Sequence, residues 1–236
     1  MTEVSNQPSA ALPGDTWVVI AAYNEGVRIL PVLDELRPLA VNVVVVDDGS
    51  ADDTGSRVLS RPVWLVTHPV NLGQGAALQT GIDFALSRGA RFVVTFDADG
   101  QHRPEDIPAL LTALKEADAD FALGSRFLGS AEGIPFSRLV MLKLAIIFTR
   151  IMSGARLTDT HNGLRAMTRR GASHIGIRFN RMEHASEVID QIVRSGLKHV
   201  EVPVRVRYSV DSLAKGQRTS AALGLGVRIL LDKVTR

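Results

Sequence analysis

Arg91-Phe92-Val93-Val94-Thr95-Phe96-Asp97-Ala98-Asp99-Gly100-Gln101-His102 is the stretch on which the reading of this chain turns. An apolar, β-branched run ends abruptly in two carboxylates, a glycine, an amide and an imidazole. Residues 91–96 read as a buried strand, and Pro104–Ala117 reads as a helix with its proline tolerated in the first turn. The same alternation extends toward the N-terminus. Trp17–Ala21, Val41–Val46 and Val63–Thr67 are further apolar runs. Between them Glu25–Leu39 carries Val27, Leu30, Leu33 and Leu36 at helical spacing, and Gln74–Arg88 is a helix closed by Gly89. Strands that are apolar throughout and alternate with helices predict an α/β fold, a parallel sheet covered on both faces.

The second half reads differently. Asp120–Leu123 is a short strand, Ser137–Met152 a long apolar helix, Glu183–Arg194 a helix stopped by Gly196, Val200–Val206 an alternating strand and Leu223–Val234 a terminal helix. No repeat, low-complexity block or linker interrupts the chain. One domain is expected over residues 14–236, after a loose tail at residues 1–13.

Composition narrows the function classes. The 236 residues are 45% hydrophobic and 22% charged, which suits a sizeable core and excludes disorder for most of the chain. With 27 basic and 25 acidic residues the net charge is +2, so no general case for nucleic-acid binding exists. The absence of cysteine excludes disulfides, a thiolate nucleophile and Cys-based metal sites, and suits a reducing compartment. No secretory signal is visible, and no window reaches the ~18 consecutive apolar residues of a membrane span. Leu139–Phe148 is the nearest approach, and Lys143 interrupts it. A cytoplasmic protein is expected, with peripheral membrane contact left open. Leu139–Met152, broken by Arg138, Lys143 and Arg150, fits an interfacial helix or a buried one.

In open parallel sheets ligands bind beyond the carboxyl ends of the strands. Four polar clusters lie there: Ala21-Ala22-Tyr23-Asn24-Glu25, Asp47-Asp48-Gly49-Ser50, Asn71-Leu72-Gly73-Gln74-Gly75 and Asp97 to His102. In extended backbone Asp97 and Asp99 face the same way, and two adjacent carboxylates repel unless a cation or proton sits between them. Mg²⁺ or Mn²⁺, shared with substrate phosphates, fits that donor set; a polar loop capping the next helix is the plainer alternative. Asp48 is suited to hydrogen-bond a ribose or base, whereas Asp47, Gly49 and Ser50 read as turn residues. Gly75 leaves room for a nucleotide to approach the backbone, or simply makes a tight turn. The loop is no Walker motif, and Leu78 stands where a dinucleotide fingerprint has its third glycine.

Together these segments resemble the family 2 glycosyltransferases of the GT-A fold, and most of all their dolichol-phosphate mannose synthase branch. Ala21 to Glu25 and Val46 to Ser50 are similar to that branch's first and second nucleotide-binding motifs. Asp97-x-Asp99-x-Gln101 is similar to its metal signature, Gly124-Ser125-Arg126-Phe127 to the segment whose arginine faces a lipid phosphate, and Asp159-Thr160-His161-Asn162-Gly163-Leu164-Arg165 to its acceptor-side motif. The resemblance runs from about Trp17 to Tyr208. The chain departs from it at Gln74, where the family often has lysine, at Asn162, where it often has serine, and in the C-terminal membrane helices that many relatives carry.

The resemblance implies a GT-A, Rossmann-like fold and an inverting, metal-dependent transfer from a GDP- or UDP-sugar to a polyprenyl phosphate. Donor contacts are expected from Ala21, Tyr23, Asn24, Glu25, Asp48, Gly75, Asp97, Ala98, Asp99, Gln101 and Lys215, and Mg²⁺ or Mn²⁺ contacts from Asp97, Asp99 and Gln101. An anionic lipid phosphate needs cations more than a base, which points to Arg126 and Arg138. A sugar hydroxyl of a surface glycan, the second acceptor considered, needs a base, and Asp159 is the candidate. Arg165 pairs either with Asp159 or with the diphosphate. His102 and His161 are placed to line the site, and Glu183-His184 to cap a helix or touch the acceptor. The loop at residues 208–220, with Arg205, Arg207, Lys215 and Arg218 in and around it, reads as a lid or a solvated loop. An integral membrane partner, a non-catalytic nucleotide-sugar-binding subunit, a nucleotidyltransferase and a haloacid-dehalogenase-like phosphatase remain as alternatives.

Overall fold

The computed structural model describes residues 12–154, 156–180 and 184–208. Lys215, Arg218, Glu183, the lid segment beyond Tyr208, the helix expected at 223–234 and most of the tail lie outside the described residues.

The N-terminal half follows the alternation closely. Strand β1 is Thr16–Ala22, α1 Gly26–Leu36, β2 Asn42–Asp47, α2 Thr54–Val58, β3 Trp64–Thr67, α3 Gln74–Ser87, β4 Phe92–Asp97 and α4 Ile107–Glu116. Proline sets two boundaries: the helix expected to run to Leu39 tightens into a 3₁₀ turn at Arg37–Leu39, around Pro38, and Pro104–Asp106 is a 3₁₀ turn leading into α4. Alternate residues of the central strands go to opposite faces. Val18, Ile20, Val45, Val94 and Phe96 pack with Ile29, Leu33, Leu110 and Leu114 of α1 and α4. Trp17, Val19, Val44 and Val93 pack with Leu78, Ile82 and Ala85 of α3 and with Ile189 further on. Burying both faces explains why these strands are apolar throughout; each fully buried Val or Ile contributes about 1.5–3 kcal/mol.

The C-terminal half is built from β5 (Phe121–Glu132), α5 (Phe136–Ser153), β6 (Arg165–Thr168), α6 (Arg169–His174), α7 (His184–Arg194) and β7 (His199–Arg207). Strand β5 is far longer than Asp120–Leu123. Its distal part pairs with β7 across a register shift between Ser125 and Ser130. Strand β6, absent from the sequence reading, runs antiparallel between β4 and β5. The sheet order is β3-β2-β1-β4-β6-β5-β7, parallel except for β6. The chain runs outward from β1 to β2 and β3 and then crosses back to β4 on the other side of β1, and this reversal opens a crevice at the carboxyl ends of β1 and β4. The register puts Ala21 beside Asp97 and Ala22 beside Asp47 at that edge.

Candidate active site

The strand ends meet as expected, but several of their side chains are committed to the protein. Asn24 adopts φ +53, a conformation asparagine tolerates better than most residues, and its backbone N–H donates to Ser50 Oγ at 2.9 Å while its Oδ1 accepts from the Ala51 amide. Glu25 receives its backbone support from Thr54 Oγ1 and reaches Arg28 at 3.1 Å. Tyr23 is exposed. Asp47 caps its own turn by accepting from the Ser50 amide.

Asp48 is buried, and accepts from the amides of Leu72 (2.9 Å) and Gly73 (2.7 Å), with His68 Nδ1 at 2.7 Å. His68 Nε2 continues to Thr80 Oγ1 on α3 at 3.0 Å. A carboxylate with two amides and an imidazole on it braces the 71–75 loop, and these protein partners engage the oxygens expected to face a ribose or base. The space at Gly75 is likewise filled by protein: a Cβ there would stand 2.1 Å from the Phe179 carbonyl oxygen, and the Gly75 amide donates to Asn180 O at 3.0 Å. Glycine is required because a second backbone segment crosses the loop. That segment is held by Glu187, which accepts from the Arg178 and Phe179 amides.

Asp97 and Asp99 do lie together, by a route other than strand pleat. β4 ends at Asp97, and a turn through buried Ala98 and Gly100 (φ +73) returns Asp99 to the crevice, where it accepts from the Gln101 amide at 3.0 Å. Asp97 accepts from His102 Nε2 at 2.9 Å and from Gln74 Nε2 at 3.4 Å. Burial works to raise the Asp97 pKa, but the His102 hydrogen bond and the charges of His102 and Arg165 outweigh it and hold the carboxyl below its usual range. At Asp99 burial and the neighbouring Asp97 outweigh the Gln101 amide and the His102 charge and push the carboxyl up to about 6. Gly163 approaches so closely that a Cβ would stand 2.2 Å from Asp97 Oδ2. Gln101 is buried beside the pair, and its carbonyl accepts from the Arg207 amide. Asp97, Asp99 and Gln101 are an all-oxygen donor set of the kind Mg²⁺ and Mn²⁺ prefer, and the charge crowding at Asp99 is what a cation would relieve. Among the described residues no group of three or more His, Asp or Glu side chains could hold a cation by itself.

Across the crevice, Arg126 is a buried hub. Its backbone amide (3.1 Å) and Nε (2.6 Å) donate to Asp159 Oδ2, Nη2 donates to the His161 carbonyl at 2.7 Å, and Nη1 donates to Tyr208 Oη. The pair is almost wholly buried, with side-chain exposures of 5% and 1%. Asp159 also accepts from the His161 amide, and Glu201 anchors its turn through the Thr158 and Asp159 amides. Arg126, expected to face a lipid phosphate, and Asp159, the candidate base for a sugar hydroxyl, are thus paired with each other. Arg138, at the start of α5, is half-buried with its guanidinium 4.9 Å from the Tyr208 ring centre. Arg165, buried on β6, lies in the fields of Asp97 and Asp159, and among the described residues it forms no salt bridge. Burial and the charge of Arg165 lower His161 to about 4, so its ring is neutral at pH 7. His184 is buried against Gly75. Sequence reasoning missed His68, Glu201 and Tyr208. Each acts through a partner distant in sequence, and no local motif signals that.

A doubly covered sheet with a reversal in strand order, and paired carboxylates at its crevice, defines an α/β protein of the GT-A type. Residues 17–176 match the Glycosyl transferase family 2 profile, and the chain belongs to that family. It is therefore a glycosyltransferase, which sets aside the phosphatase, nucleotidyltransferase and non-catalytic alternatives. It is 30% identical to the UDP-N-acetylglucosamine–dolichyl-phosphate N-acetylglucosaminyltransferase of Methanococcus voltae, over 92% of this chain and 96% of the relative. It is 34% identical to the polyprenol monophosphomannose synthase of Mycolicibacterium smegmatis, over 80% of this chain and 76% of the relative. Among solved structures, glucosyl-3-phosphoglycerate synthase of Mycobacterium tuberculosis in complex with Mn²⁺ and UDP-glucose shares the fold, with TM-score 0.62 and 21% identity over 84% of this chain and 73% of that one.

Proposed function

We propose that the protein transfers a sugar from a GDP- or UDP-sugar to a polyprenyl phosphate, with inversion at the anomeric carbon. The relatives named for dolichyl and polyprenol phosphates, matched over 92% and 80% of this chain, support this acceptor class. The observation that carries the choice is the Arg126–Asp159 pair. With the one candidate base bound to a buried guanidinium, an acceptor already anionic at pH 7 suits the site better than a sugar hydroxyl.

Asp97, Asp99 and Gln101 would hold Mg²⁺ or Mn²⁺ against the donor diphosphate, completing a shell their own atoms leave open. When bound, the cation supplies Lewis-acid stabilisation of the leaving diphosphate. Tyr23, Asn24 and Glu25 flank the nucleoside, on a loop held by Ser50, Ala51 and Thr54, while Asp48 and His68 brace the neighbouring 71–75 loop. Arg138 binds the acceptor phosphate, and Arg165 holds negative charge between Asp97 and Asp159. A phosphate oxygen attacks the anomeric carbon, the bond to the diphosphate oxygen breaks, and its electron pair leaves with the nucleoside diphosphate.

No helix among the described residues is long and apolar enough to cross a membrane. Helix α5 supplies a surface contact instead. Phe136, Val140, Leu144 and Ile147 form an exposed apolar stripe, with Lys143 and Arg150 exposed beside it. An apolar stripe with flanking cations suits an anionic membrane surface, where a polyprenyl phosphate resides.

The test is thermal stability against GDP- and UDP-sugars with Mn²⁺ or EDTA, followed by turnover with geranyl phosphate or geraniol. Ligands that bind only the folded protein raise the melting temperature by mass action. A Mn²⁺-dependent rise with one nucleotide family, and turnover with geranyl phosphate alone, are expected. Equal turnover with geraniol would overturn the acceptor assignment.

A further inference from the structure

The geometry points to Tyr208 as a positioning residue of the acceptor side: it seats Arg138 on a ring fixed by buried Arg126, holding one uncompensated guanidinium for a phosphomonoester. The inference rests on the polyprenyl-phosphate reading above and deepens it.

Tyr208 follows directly on β7 and is buried. Its amide donates to Glu132 O at 2.9 Å, so the backbone is tied to the end of β5. Its hydroxyl accepts from Arg126 Nη1. Arg126 is itself locked by Asp159 and by the His161 carbonyl, so the ring is held at its backbone and at its hydroxyl tip. The guanidinium of Arg138 lies 4.9 Å from the centre of that ring. A guanidinium over an aromatic face is attracted by the ring's quadrupole and keeps its N–H groups for another acceptor.

The charges of the two arginines are treated differently. Asp159 neutralises Arg126 in a dry site. Among the described residues Arg138 meets no carboxylate; its recorded partner is the neutral ring. The arrangement therefore holds one fixed, unspent positive charge beside the crevice, with the fork geometry that suits phosphate oxygens. It also ties the first turn of α5, which carries the exposed apolar stripe, to the floor of the site. A lipid held at that stripe would have its phosphate registered on the sheet through Tyr208.

The test compares the full chain with Tyr208→Phe, Tyr208→Leu, Arg138→Ala and the Tyr208→Leu/Arg138→Ala double variant. Calorimetric binding of geranyl phosphate, geraniol and inorganic phosphate is measured for each. The Mn²⁺-dependent thermal shift with the nucleotide sugar reports folding and the donor side. Tyr208→Leu is expected to weaken geranyl phosphate about 5- to 30-fold, the span of a partly desolvated cation–π contact. Tyr208→Phe keeps the ring and is expected to recover affinity to within about 3-fold of the parent. In the Arg138→Ala background the leucine change is expected to add less than about 2-fold, because the interaction it removes is already gone. Geraniol binding and the donor shift should be the same in every variant.

Additive losses, an equal loss with geraniol, or a matching loss of the donor shift would overturn the role. So would binding of inorganic phosphate with exclusion of geranyl phosphate. If Tyr208→Leu matches a parent that glycosylates geranyl phosphate, Tyr208 is wrongly assigned and the proposed function stands. If the parent responds to donor and Mn²⁺ but neither binds nor glycosylates geranyl phosphate, both are wrong.

Discussion

The half of the sheet made by β1 to β4 and the half made by β5 to β7 solve the same problem with different physics. The first places its polar clusters by hydrophobic burial. Parallel strands covered on both faces can end only where the apolar run ends, so the carboxylates arrive at one edge together. The second places its groups by a polar hub. Arg126 gathers Asp159, His161 and Tyr208, residues up to 82 positions away in sequence, around one buried guanidinium. A burial-built edge tolerates the loss of one polar side chain, whereas a hub does not.

Four substitutions or titrations sharpen that contrast, the largest effect first. Asp159→Asn leaves the Arg126 charge buried and uncompensated, and unfolding in urea should report a loss of about 3–5 kcal/mol. A loss no larger than that of an exposed pair would mean that the hub does not hold this half together.

Asp99→Asn should lower turnover roughly 100- to 1,000-fold, because donor-charge stabilisation is lost. Its stability should go the other way. A carboxyl raised to about 6 in the folded protein bears no cost below its unfolded value and the full cost once ionised. The metal-free variant should therefore be at least as stable as the parent at pH 8, and a clear drop in melting temperature there would contradict the crowding at Asp97 and Asp99.

Metal affinity should follow the same group. Below pH 6 a proton occupies Asp99 and competes with Mn²⁺, so affinity should fall by up to about tenfold per pH unit and level off above neutrality. Calorimetry in two buffers of different ionisation enthalpy should find a proton released per Mn²⁺ near pH 5.5. A flat affinity from pH 5 to pH 8 would remove Asp99 from the metal.

The smallest effect is expected at the brace behind the 71–75 loop, which carries Gln74 to Asp97. His68→Gln should cost about 1 kcal/mol of stability and raise the donor KM several-fold with little change in kcat, since Asp48 keeps both amides. A fall in kcat at constant KM would place His68 closer to the reaction than its contacts suggest.

The same contrast explains what was legible in the sequence. Apolar runs and helical spacing located β1 to β4 and the crevice at their ends, because burial on two faces writes itself into consecutive residues. Strand β6 was invisible: it begins at Arg165, whose charge reads as a site residue, and it is only four residues long. The outer part of β5, Arg126 to Glu132, has the glycine and serine of a loop and becomes a strand only because β7 pairs with it. Asp48 and Gly75 sit in segments that a nucleotide-binding pattern selects, yet their immediate neighbours are His68 and the Phe179 backbone. Local pattern places a residue at the site. What its atoms touch is settled by chain that lies far away in sequence.

The central claim is a metal-dependent transfer to a lipid phosphate with no free base. The most direct measurement is the mass of the product formed from undecaprenyl phosphate and each GDP- and UDP-sugar, with Mn²⁺ or EDTA. One new species is expected, heavier than the lipid by one sugar residue, formed with a single nucleotide family and abolished by EDTA. Free sugar without glycosylated lipid, or the same product in EDTA, would contradict it.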